Sequence, residues 1–146
     1  MTESRYRQLV RASGIYDVLA TAAFATPWTY PLLFQLFNRL APMPAFEPTH
    51  ALFVNLLGSV VLVWSALRIW RPDPVFGLFD AYARALFFCW QMYYLLVHHV
   101  TPVVWAFAAI ELLLGVLQAV GYWRLVGRST APAAEKRAPA VLPDPA

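Results

Sequence analysis

The feature that most restricts this chain is a run with no charge and no polar stripe. Residues 52–64 read Leu-Phe-Val-Asn-Leu-Leu-Gly-Ser-Val-Val-Leu-Val-Trp, and the first charge after them is Arg68. A helix on the surface of a water-soluble domain shows polar side chains every three or four residues, and this run does not. Three further stretches share the property. No charge falls between Asp17 and Arg39, the stretch from Ala85 to Val97 is purely apolar and aromatic apart from Cys89 and Gln91, and between Val103 and Trp123 the only ionisable side chains are Glu111 and Tyr122. A hydrocarbon core about 30 Å thick needs roughly 20 apolar helical residues to cross it. The pattern therefore predicts an all-α integral membrane protein, a four-helix bundle with spans near 14–37, 51–70, 77–99 and 103–123.

Composition agrees. Of 146 residues 60% are hydrophobic and only 13% charged, with a formal net charge of +3. Soluble domains carry about 25% charged residues. The mean hydropathy of +0.55 speaks against disorder along most of the length, and the small positive excess against a nucleic-acid partner. One cysteine, Cys89, allows no internal disulfide and no cysteine-rich zinc site. Motifs for a nucleotide loop, a nucleophile elbow or a zinc-dependent hydrolase are missing from the sequence.

Prolines punctuate the expected spans. Pro42, Pro44 and Pro48 crowd the first connection, Pro72 and Pro74 the second, and Pro102 sits at the start of the fourth helix. Pro27 and Pro31 lie inside the first span and should kink it or end it early. Residues 1–13 form an amino-terminal segment on the cytoplasmic side. Residues 128–146, rich in Ala and Pro, are expected to form a flexible cytoplasmic tail. Basic residues gather at one face: Arg5, Arg7 and Arg11, then Arg68 and Arg71, then Arg124, Arg128, Lys136 and Arg137, with Arg39 alone opposite. The positive-inside rule then puts both termini in the cytoplasm. Gly14-Ile-Tyr-Asp-Val-Leu-Ala-Thr-Ala-Ala-Phe24 is also echoed by Gly77-Leu-Phe-Asp-Ala-Tyr-Ala-Arg-Ala-Leu-Phe87. That echo suggests a helical hairpin used twice.

Polar side chains inside a span are costly, about 2.5–3.5 kcal/mol for a central charge, and they mark function or packing. Sorted by depth with the 1.5 Å helical rise, they form two expected layers. Asp17, Asp80 and Arg84 lie near the cytoplasmic boundary. Asp80 and Arg84, four residues apart, suit a structural ion pair, and Asp17 has Arg84, Arg68 or Arg124 within reach. Glu111 lies deeper, level with Gln91 and Ser59, and Asn55 lies further toward the outer face. A lone glutamate there takes up a proton unless a cation pairs with it. Glu111, Gln91, Ser59 and Asn55 are therefore the expected ligand or proton site. His50, His98 and His99 fall on the outer side, but adjacent imidazoles on a helix diverge by about 100° and suit no shared metal. No cofactor is expected.

The run Glu111-Leu-Leu-Leu-Gly-Val-Leu-Gln-Ala-Val-Gly121 followed by Arg124 resembles the last helix of DoxX-like inner-membrane proteins, in which a glutamate opens a Gly- and Leu-rich span that ends in glycine and a basic residue. Length and four-helix topology agree, whereas Asp17 and the two prolines of the first span depart from that pattern. The resemblance implies a small bacterial membrane protein that accompanies a redox or biosynthetic enzyme, and carries over Glu111, Gly115 and Gly121. The expected role is a noncatalytic accessory module in the bilayer, associated with another membrane protein or with its own copies, and holding an apolar ligand or lipid near Glu111. The alternatives are a proton-coupled small-molecule transporter working as a homodimer and, behind it, an intramembrane isomerase.

Overall fold

The computed structural model describes residues 1–44 and 46–135, with side chains described as far as Gly127. Five α-helices and one 3-10 turn follow in order: α1 Glu3–Thr21, the turn Ala22–Ala25, α2 Tyr30–Leu40, α3 Pro48–Trp70, α4 Pro74–Val97 and α5 Val103–Glu135. Among the described residues there is no strand. Proline sits in the first turn of α2, α3 and α4, where its missing N–H costs nothing. Asp73 caps α4 by accepting from the Val75 N–H at 3.0 Å. His99 takes the left-handed backbone (φ 50°) that closes α4, and the Val100 N–H folds back onto the Tyr94 carbonyl at 3.4 Å.

The single span expected over 14–37 is two helices. Pro27 has no N–H to offer Ala23, so the α-helical ladder ends at Thr21 and tightens into the 3-10 turn. The freed carbonyls are taken up by side chains. The Thr29 hydroxyl donates to Ala23 O at 2.7 Å, and Asn55 Nδ2 of α3 donates to Phe24 O at 2.8 Å. Gly58 of α3 makes the close approach possible, since a Cβ there would stand 2.7 Å from the Phe24 carbonyl carbon and the Ala25 nitrogen.

The amino-terminal segment is helical. Residues 3–13 belong to α1, and Tyr6 and Val10 are wholly buried. α5 likewise continues through 128–135, inside the stretch expected to be flexible. Residues 136–146 of that tail lie outside the described residues.

α1 packs along α3 and α4 along α5. The interior is inverted relative to a soluble protein. Ser13, Asp17, Ser65, Arg68, Asp80, Arg84, Glu111 and Gln118 are buried, while Leu19, Leu32, Val63, Leu86, Trp90 and Leu113 point outward. Among the described residues two helices, Pro48–Trp70 and α5 over Val103–Gly127, are long and apolar enough to cross a membrane, and only 17% of each apolar window is buried within the protein.

Candidate functional site

The buried polar side chains form one connected cluster. Arg84 is its hub, because its guanidinium offers five N–H donors in a fixed plane. Nε meets Asp80 Oδ2 at 3.0 Å, Nη1 meets Glu111 Oε2 at 2.7 Å, and Nη2 meets Asp17 Oδ1 and Ser13 Oγ, each at 2.7 Å. The Arg84 side chain is 2% exposed. A second arginine, Arg68 of α3, is fully buried and binds Asp17 and Asp80, the latter at 2.5 Å, with further bonds to Ser13 and Ser65. Asp80 also accepts from Ser13, from Trp64 Nε1 at 3.0 Å and from Gln118 Nε2 at 2.9 Å. Helices α1, α3, α4 and α5 thus converge on this cluster.

The depth estimate separates Glu111 from the Asp17–Asp80–Arg84 group, but the structure joins them. Gly115 of α5 faces the Arg84 Cβ, with an added methyl only 3.3 Å away, so Glu111 sits four residues, about 6 Å, further along α5. A long arginine side chain spans that gap. Of the other members of the expected ligand site, Gln91 lines the same cavity as Glu111, whereas Ser59 and Asn55 lie elsewhere. Ser59 donates to the Asn55 carbonyl at 2.8 Å and reaches Ala25 O at 3.4 Å, while Asn55 holds Phe24. Both serve the broken first helix and neither lines the space in front of Glu111. Their task follows from the carbonyls freed by Pro27, which outbid a more distant carboxyl.

That space is a cavity of about 680 Å³ lying chiefly between α3 and α4 and closed at one end by the cluster. Its walls are almost wholly apolar, including Phe24, Leu57, Val61, Phe87 and Phe107, and its volume suits a small molecule. Asp17, Asp80, Arg84 and Glu111 all face it. Three of its lining residues carry buried polar atoms with no hydrogen-bond partner: the Tyr16 hydroxyl, Gln91 Oε1 and Thr101 Oγ1. Each of these atoms has almost no accessible surface and is closed off from the cavity, and Arg68 Nε and Gln118 Oε1 in the cluster are unpartnered in the same way. Gln91 lies seven residues beyond Arg84 on α4, about 10 Å along the axis.

His50, His98 and His99 are exposed and lie outside the cavity lining; the His98 ring contacts Tyr93 and Tyr94. Cys89 is a free, exposed thiol. Sequence reasoning overlooked Ser13, Trp64 and Gln118. Each stands at a helical interval from a residue already singled out: Ser13 four before Asp17, Trp64 four before Arg68, Gln118 seven after Glu111. That spacing marks one helix face. The chain matches no known family model, no curated protein and no solved structure.

Proposed function

We propose that this chain is a multi-pass inner-membrane protein that binds an apolar molecule in the cavity between α3 and α4, with the molecule's polar end against Glu111. The observation that carries the reading is an apolar-walled space of about 680 Å³ faced by four members of a buried ionic cluster. In water, a surface bearing Leu19, Val63, Leu86 and Leu113 would aggregate, and hydrocarbon removes that penalty. The basic residues favour a four-span arrangement with cytoplasmic termini, in which the kinked α1–α2 unit supplies the first crossing and α4 carries its charges inward to the cluster. Binding rather than chemistry is favoured because no histidine stands beside Glu111 to complete an acid–base pair. The outward aromatics Trp90, Tyr93 and Tyr94 of α4 suit contact with lipid or with a partner membrane protein, consistent with the accessory role that a DoxX-like kinship implies.

The test is to purify the protein in lipid nanodiscs, extract it and analyse bound small molecules by mass spectrometry. Val61→Trp and Ala83→Trp fill the cavity without touching the cluster's hydrogen bonds. A retained apolar compound that disappears from both variants supports the reading. Retention of bulk lipid only, unchanged in the variants, overturns it.

Proton-coupled transport is the second reading, favoured by the single arginine contact of Glu111. It requires uptake driven by a pH gradient in proteoliposomes and abolished by Glu111→Gln.

A further inference from the structure

The ionic cluster is unbalanced. Asp17, Asp80 and Glu111 contribute three carboxylates, against two guanidiniums from Arg68 and Arg84. Arg68 is the one charged member that does not line the cavity. The cavity therefore looks onto three acids and one base, with the second base behind them. Glu111 is the acid least provided for: it is 8% exposed, Arg84 engages its Oε2, and its Oε1 has no hydrogen-bond partner among the described residues. A net negative charge in a low-dielectric interior demands a compensating positive one.

We propose, resting on the ligand-binding reading above, that the cavity's natural occupant is a lipophilic monocation, a protonated amine or quaternary ammonium with an apolar body, whose charged head lies at Glu111 Oε1. The chemistry of the walls selects this class. Rings of Tyr16, Trp64, Phe87 and Phe107 line the cavity, and aromatic faces attract organic cations. A small inorganic cation needs a shell of several oxygen ligands, yet Asp17 and Asp80 are engaged by the two arginines, and among the described residues no group of three His, Cys, Asp or Glu side chains is placed to hold a metal ion. An anionic amphiphile would meet the excess carboxylate, and a neutral one would leave it uncompensated unless a proton occupied Glu111. A monocation balances the cluster and brings its own hydrocarbon to the 680 Å³ of apolar space.

The experiment is a ligand series with one twelve-carbon chain and three heads. Wild-type protein in phosphatidylcholine nanodiscs is titrated calorimetrically with dodecyltrimethylammonium, 1-dodecanol and dodecanoate, and partitioning into empty nanodiscs is subtracted. The cation should bind about tenfold or more tighter than the alcohol, and dodecanoate should bind weakest. Glu111→Gln should bring cation and alcohol within about threefold of each other by weakening the cation alone. A proton competes for the same carboxylate, so lowering the pH should displace the permanent cation from wild-type protein, a readout that needs no variant. The groups bearing on Glu111 in that titration are Tyr16 and Asp17 of α1, Arg68 of α3, and Asp80 and Arg84 of α4. Equal affinity for alcohol and cation overturns the cation proposal while leaving apolar-ligand binding intact. Absence of saturable binding by all three overturns both.

Discussion

Replacing Arg84 by methionine keeps most of the side-chain volume and removes the hub of the cluster. Four partners lose a donor: Ser13, Asp17, Asp80 and Glu111. Asp17 and Asp80 keep Arg68, but Glu111 keeps none. Hydrogen bonds between membrane helices average about 0.6 kcal/mol, so the four partners set a floor of about 2.4 kcal/mol. Removing one side of a buried ion pair costs about 3–5 kcal/mol, because the remaining charge is stranded. The expected destabilisation is therefore about 2.5–5 kcal/mol. Reversible unfolding in mixed micelles, driven by dodecyl sulfate and followed by tryptophan fluorescence, measures it. Leu112→Ala, at a half-exposed outward position of α5 (47% exposed), serves as the control. Adding Glu111→Gln to the methionine variant should restore about 1–2 kcal/mol, since the stranded charge is what hurts and neighbouring effects do not add. Arg84→Lys should fall between, keeping the charge and losing the planar fork. A methionine variant within about 0.5 kcal/mol of wild type, inside the range of ordinary surface changes, would refute the cluster as the organising centre of the fold.

Other outcomes follow from single contacts. Gly58→Val should cost about 1–3 kcal/mol in the same assay, because the added carbons meet the backbone of Phe24 and Ala25. The Tyr6 hydroxyl donates to the Gln118 carbonyl at 3.0 Å, and its pKa is held above the ordinary tyrosine value by burial first and then by Tyr122 and Asp80. The folded chain thus keeps this proton longer than the unfolded chain does. Its contribution is complete below about pH 10 and declines as the pH rises from there. Tyr6→Phe should cost about 1 kcal/mol at neutral pH and flatten the alkaline loss in unfolding curves at pH 8, 10 and 11. His99→Gly should be neutral or slightly stabilising, by up to about 1 kcal/mol, since glycine adopts the left-handed backbone without strain. In a Cys89→Ser background, cysteines at Ser4 and Glu47 should label from opposite faces of sealed vesicles; labelling from one common face would refute the four-span arrangement.

Much of this protein follows from one-dimensional pattern. Unbroken apolar runs dictate helices with apolar outward faces, and prolines mark where α2, α3 and α4 begin, because a residue without an N–H belongs in a first turn. The rarity of charge in those runs singled out Asp17, Asp80, Arg84 and Glu111, since a charge is expensive there and has to be accommodated. Which of them meet is a different matter. Helical rise orders backbone positions by depth, yet Arg84 reaches about one turn along the bundle, so residues assigned to separate levels share one guanidinium. The same blindness hid the fate of Asn55 and Ser59: their partners are carbonyls exposed by a break in another helix. The burial of Tyr6 and Val10 likewise comes only from packing against other helices. Sequence alone determined where α3 and α4 begin and that Asp17, Asp80, Arg84 and Glu111 need partners, because those depend on local periodicity and transfer energy; the form of the break between α1 and α2 and the burial of Arg68 came only with the fold. Only tertiary packing decided the cavity between α3 and α4 and the surplus carboxylate at its floor, because both arise from side chains brought together across long separations in the chain.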